Sequence, residues 1–143
     1  MATSAWTKYQ DFSEQLIRGV HDWDAHTFKV ALTNTLPVNT HTSLSQIGEI
    51  AAGNGYTAGG NTTTITISES AGTTTVSGTE VVFTATGVVP TFRYAVLYND
   101  TATSPADALI ASFDYGAAVN LTNGDTFTVR FNNASPGTMF TLV

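Results

Sequence analysis

Residues Ala51–Glu69 read AAGNGYTAGGNTTTITISE, and the chain changes character inside this stretch. The first ten residues place Gly53, Asn54, Gly55, Gly59 and Gly60 around one aromatic, Tyr56. Glycine loses the most conformational freedom on folding, so this density marks a joint where backbone geometry or close approach demands it. After Gly60 the apolar period becomes two: Ile65 and Ile67 alternate with Thr and Ser, as in a strand with one buried face. Residues 51–60 therefore join a helix-containing opening to a β region over residues 61–143.

Upstream of the joint, Tyr9, Phe12, Leu16, Ile17 and Val20 recur at spacings of three and four. This predicts a helix over about Thr7–Arg18, with Thr7 and Gln10 at capping-box spacing and Gly19 as its stop. Thr27–Leu32 alternates Phe28, Val30 and Leu32 with Lys29 and Ala31, a half-buried strand ended by Leu36-Pro37. Ser43–Ile50 reads as one or two helical turns, with Leu44 and Ile47 facing inward.

Downstream, Asn61–Glu69 reads as one strand, Ser70-Ala71-Gly72 as a turn and Thr73–Val76 as a weak strand broken by Gly78. Thr79–Thr86 carries Val81, Phe83 and Ala85 on one face. Thr91–Tyr98 is apolar on both faces, which places it centrally, and Leu109–Tyr115 has the same character. Asn123-Gly124 is the sharpest hairpin signal and predicts pairing of Ala118–Leu121 with Asp125–Asn132. Thr138–Val143 is a last strand. Turn signals about every ten residues predict one mainly β domain: an antiparallel sandwich or barrel of roughly seven or eight strands, with the N-terminal helix packed on it.

Composition restricts the chemistry. The 143 residues contain no cysteine, so disulfides and thiolate metal sites are excluded. Net charge is −6, and the five basic residues, Lys8, Arg18, Lys29, Arg93 and Arg130, are scattered, which disfavours nucleic acid as a partner. Threonine occurs 26 times while charged residues make up only 11%. A Thr-rich surface suits strands and is cheap to desolvate against a partner. No apolar run reaches membrane-spanning length and no signal-peptide pattern opens the chain, so a soluble, unprocessed protein is expected.

Candidate reactive sites are few. His21-Asp22-Trp23-Asp24-Ala25-His26 is the densest set of potential metal ligands. Its histidines are five apart, where a helical zinc pair takes four, and a calcium loop needs more oxygens and a turn glycine. The competing reading is a polar loop in which Trp23 packs back on the helix and an aspartate makes a turn. No nucleophile motif accompanies His21, His26 or His41. Asp114, between Phe113 and Tyr115, is the acid set in an apolar strand, and Arg93 or Arg130 is its expected partner. The glycine joint lacks the Lys-Ser/Thr of a phosphate loop. The sequons at Asn61, Asn99, Asn120 and Asn133 are expected by chance in a chain so rich in threonine. Tyr56, Tyr98 and Tyr115 are candidates for a sugar-stacking platform, with core burial as the alternative.

Four segments carry a family resemblance: FKVALTNT (Phe28–Thr35), EIAAGNGYTAGG (Glu49–Gly60), RYAVLYND (Arg93–Asp100) and NGDTFTVRFN (Asn123–Asn132). Following an amphipathic opening that ends at Gly19, they resemble small virion structural proteins of tailed bacteriophages, similar to capsid decoration (cement) proteins. The resemblance implies a non-enzymatic protein, made in the host cytoplasm and carried on the capsid surface. It would bind the major capsid protein and stabilise the shell, commonly as a homotrimer, with no catalytic residue, metal or cofactor. Trp6, Trp23, Asn54 and Tyr56, in the N-terminal segment and the glycine joint, are the candidate interaction residues. Two other roles stand beside this one. A tail-associated or receptor-binding module for a bacterial surface glycan requires an exposed aromatic beside Asn and Asp in a groove. An enzyme acting on cell-wall sugars requires two carboxylates in one cleft.

Overall fold

The computed structural model describes residues 3–143, and its strands form antiparallel sheets. A five-stranded sheet has the order β1-β8-β7-β2-β3, from Thr7–Lys8 (β1), Ala106–Val119 (β8), Phe92–Thr103 (β7), Phe28–Thr33 (β2) and Asn61–Thr63 (β3). A three-stranded sheet runs β10-β5-β4, from Gly137–Leu142, Thr73–Gly78 and Ile65–Ser70. Val81–Thr84 (β6) pairs with Thr126–Val129 (β9). The sheets do not close into a barrel. The architecture is sandwich-like, and among the described residues its strands number ten, because the run Asn61–Glu69 divides in two and Thr7–Lys8, expected to be helical, is a strand.

The main core lies between the sheets and includes Phe28, Val30, Leu32, Val81, Phe83, Phe92, Leu97 and Ile110. A second cluster, Tyr9, Ala31, Ile47, Val96, Tyr98 and Leu109, covers the other face of the five-stranded sheet. Burial on both faces explains the unbroken apolar character of β7, which is the central strand as expected. It also corrects the half-buried reading of β2: from Val30 to Thr33 every residue is buried.

The N-terminal helix is shorter than its periodicity suggested. α1 covers only Phe12–Ile17, stopped at Gly19 (φ +75°). Thr7 and Lys8 instead pair with Ser112 and Ala111 along β8, and the Tyr9 amide donates to Ile110 O. Pairing with an open sheet edge outweighed local helix preference, which is worth only tenths of a kcal/mol per residue. Tyr9 and Phe12 consequently enter different clusters, and Ile17 is 88% exposed. Ser43–Ile50 contains one 3-10 turn, Leu44–Gln46, whose Gln46 side chain accepts from the Thr42 and Ser43 amides.

The run Asn61–Glu69 is two strands in two sheets. The chain changes sheets at Thr64, and Thr79 satisfies the groups released there. The Thr79 amide donates to Thr64 O, Thr79 Oγ1 accepts from the Thr64 amide, and Thr79 O accepts from Thr63 Oγ1. Beyond the switch, β4 is an edge strand, exposed from Thr66 to Ser70. Its Ile67 faces solvent, 43% exposed, against the expected buried face. The Asn123-Gly124 turn forms, with Gly124 at φ +91°, but it does not join a pairing hairpin. The Gly124 amide donates to Ala85 O, which brings β9 beside β6 while β8 stays with β7.

The glycine joint is an internal plug. Gly53 and Tyr56 exchange backbone hydrogen bonds in a tight turn that drives the Tyr56 ring into the core beside Phe83. Tyr56 Oη accepts from the Leu32 amide and donates to Glu49 Oε1 at 2.7 Å, while the Ile50 amide donates to Leu32 O. β3 pairs only with Phe28–Val30, so residues 49–56 take over where β3 no longer flanks β2. At Gly60 (φ +74°) a Cβ would lie 1.8 Å from Val30 O, and at Gly55 (φ +97°) 2.1 Å from Thr84 O. Close backbone approach is the reason for glycine at these two positions.

Candidate functional site

Two surfaces are open on this fold: a sheet edge and a groove. The first is the β4 edge. β5 covers one side of this strand and, among the described residues, no strand covers the other. Free edges are normally guarded by lysine, proline or a bulge, whereas Ile65–Ser70 carries a single charge, Glu69, whose Oε1 caps the Gly72 amide at the hairpin tip. The Ala71-Gly72 tip, at φ +51° and +83°, has the mirror-image geometry that suits a tight hairpin. The result is an exposed edge strand carrying Thr66, Ser68 and Ser70, with one row of backbone groups left free of strand pairing.

The second surface is an open groove of about 810 Å³ between the N-terminal segment, the second half of β8 and β9. Phe113 meets Phe131 at 6.0 Å and Tyr115 meets Phe127 at 5.5 Å, both edge to face, so β8 and β9 run antiparallel across it. Arg93 forms the expected pair with Asp114 as a two-pronged fork, Nε to Oδ1 at 2.8 Å and Nη2 to Oδ2 at 2.9 Å. The hydrogen bonds from Arg93, joined by one from the Gly116 amide, hold the Asp114 carboxyl below its ordinary pKa. Arg130, also lining the groove, is paired with Glu80 at 2.6 Å.

The residues expected to make contacts are placed differently. Trp6 is half-buried at the groove, edge-on to Phe113 at 5.8 Å and to Phe12 at 6.3 Å. Trp23 stacks on Phe28 at 4.4 Å and meets Phe12 edge-on, so it packs back on the helix. Asn54 is exposed at φ +52°, with Nδ2 donating to Val88 O. Tyr56 is 4% exposed, and its ring is a core element, not a contact surface. Tyr98 is fully buried, donating to Gly59 O, which leaves Tyr115, 42% exposed, as the open aromatic of the three tyrosines considered.

The histidine segment is knitted to β7. Asn99 Oδ1 accepts from the Thr101 and Ala102 amides, which fixes its amide orientation. Its Nδ2 then faces Nδ1 of both His21 (3.1 Å) and His26 (2.9 Å). Both imidazoles accept there, so each carries its proton on Nε2. Burial, reinforced by the neighbouring His26 and opposed by Asp11, lowers the His21 pKa to about 4. Asp22 Oδ1 accepts from the Asp24 and Ala25 amides as a turn-maker. Among the described residues, no group of three or more His, Asp or Glu is placed to hold a metal.

The groove was only partly legible from sequence. The Arg93–Asp114 pair and Tyr115 had local signals. Asn132 and Asn133, both at positive φ and both lining the groove, and Ser4, whose Oγ accepts from the Asp114 amide, had none. No family model, curated protein or solved structure matches this chain.

Proposed function

We propose that this protein is a non-enzymatic virion structural protein of a tailed bacteriophage, a capsid decoration protein that docks on the assembled coat shell and fastens neighbouring subunits. The β4 edge is the observation that carries this reading. A partner strand laid against Ile65–Ser70 gains backbone hydrogen bonds without stripping strongly hydrated ions, since Glu69 is the strand's only charge. Four of the five cations are already committed to salt bridges, with Glu14, Asp100, Asp114 and Glu80, and Lys8 donates to Ser13 Oγ. Recognition therefore rests on backbone pairing and shape more than on charge. Binding to the folded shell stabilises it by linkage, and a modest contribution per copy is multiplied over every site occupied. The resemblance adds the homotrimer as the docking unit and the capsid surface as its location.

The test is co-sedimentation of purified protein with empty coat shells. The wild-type chain is expected to pellet with shells, and Ile67→Lys, which places an edge-guarding charge on β4, to lose at least about tenfold in affinity with an unchanged melting temperature. Binding to host cells with none to shells would overturn the reading. Equilibrium sedimentation checks the trimer against the 15.1 kDa chain mass.

A further inference from the structure

We propose that the groove between the N-terminal segment, β8 and β9 binds a neutral oligosaccharide, a role separate from docking through β4 and not dependent on it. The lining has three parts that match a sugar chain. Tyr115 offers a partly exposed ring braced edge-on by Phe127, an apolar platform whose electron-rich face suits the C–H face of a pyranose. Beside it stands a rigid polar array. The Arg93–Asp114 fork is held by two hydrogen bonds and by the Gly116 amide, and the Arg93 guanidinium lies 5.4 Å from the Tyr94 ring centroid. The side-chain amides of Asn132 and Asn133 complete it, each offering both donors and acceptors. Sugar hydroxyls, which donate and accept at once, are the natural complement of such an array. The groove is open along its length and, at about 810 Å³, lies in the range of specific ligand sites.

Two competing occupants fit less well. Among the described residues, the two cations lining the groove, Arg93 and Arg130, are both neutralised by carboxylates, which leaves an anion little to bind. An added protein strand would need the outward backbone donors of β8. The Tyr9 amide donates to Ile110 O and Thr7 pairs with Ser112, so Ile110, Ser112 and, next in the alternation, Asp114 turn their backbone to this edge. The next two outward donors are already used: the Asp114 amide by Ser4 Oγ at 2.8 Å, and the Gly116 amide by Asp114 Oδ1 at 2.7 Å. At Asp114 and Gly116 the edge of β8 that faces the groove is closed to strand addition, and side chains are what remain there to read a ligand.

Titration with a panel of short neutral oligosaccharides from bacterial surface polysaccharides, and with the same backbones carrying uronic acid or phosphate, tests this. Calorimetry and Trp6 fluorescence are the readouts, since Trp6 lines the groove. At least one neutral member is expected to bind saturably, with Kd of about 1 mM or tighter, and its charged derivative more weakly. Tyr115→Ala should weaken binding at least about tenfold, whereas Tyr115→Phe should keep it, with both variants melting as wild type and pelleting with shells as wild type. Binding by no member of the panel, preference for the charged derivatives, affinity unmoved by Tyr115→Ala, or self-association through the groove that Tyr115→Ala abolishes would each overturn the proposal. Loss of shell binding by Ile67→Lys leaves these outcomes unaffected, so failure of either reading is separately visible.

Discussion

Gly60 and His21 show how single side chains constrain this fold. At Gly60 the backbone lies against Val30 O in a left-handed conformation, so Gly60→Ala meets both strain and a clash. Strain of this kind costs about 1–3 kcal/mol and overpacking about 1–3 more. Chemical denaturation is expected to show a loss of about 3 kcal/mol or more, against the smaller cost of strain alone, about 1–3 kcal/mol, for Gly19→Ala, where φ is +75° but a Cβ meets nothing within 4 Å. The demand for glycine in the joint was legible in its density. That it seats Tyr56 inside the molecule was not, because the hydroxyl's partners, Glu49 and the Leu32 amide, come from β2 and from the loop ahead of the joint. His21 makes a pH prediction. Burial lowers its folded pKa to about 4, against an ordinary value of 6.5, so the unfolded chain binds the proton more readily. Its contribution is complete above pH 6.5 and is lost as pH falls towards 4. At about 1.4 kcal/mol per unit this amounts to an order of 3 kcal/mol. His21→Gln should flatten the pH dependence of melting in that window; an unchanged acid limb would contradict the assignment.

At the scale of elements, periodicity located the strands but not their neighbours. Asn61–Glu69 alternates without a break, yet it serves two sheets, because Thr79, distant in sequence, receives the backbone released at Thr64. Thr79→Val removes the acceptor for the Thr64 amide and is expected to cost about 1 kcal/mol, seen as a shifted denaturation midpoint. A midpoint that does not move would show that solvent replaces this bond in full. The Asn123-Gly124 turn and the short α1 teach the same lesson. The turn chemistry was correct, but the strand it releases pairs with β6, and the helical stripe yielded to the open edge of β8. Local preference is written in spacing, whereas strand partnership is decided by which edges remain open after folding.

For the whole molecule, the mainly β sandwich with a short N-terminal helix was legible from the alternation and the turn signals. The candidate contacts were less so. Of Trp6, Trp23, Asn54 and Tyr56, the two central aromatics, Trp23 and Tyr56, pack inward against Phe28 and Phe83. An aromatic beside glycine reads alike whether it faces solvent or plugs a core. Under the proposed reading the molecule divides its labour between a sparsely charged sheet edge, Ile65–Ser70, for backbone pairing and a polar aromatic groove whose Arg93 and Arg130 are already matched by carboxylates. The most direct measurement is amide hydrogen exchange of the protein free and bound to coat shells. Exchange along Ile65–Ser70 should slow sharply on binding, with the groove strands β8 and β9 little changed. Protection confined to other surfaces while β4 exchanges as in the free protein would contradict docking through this edge.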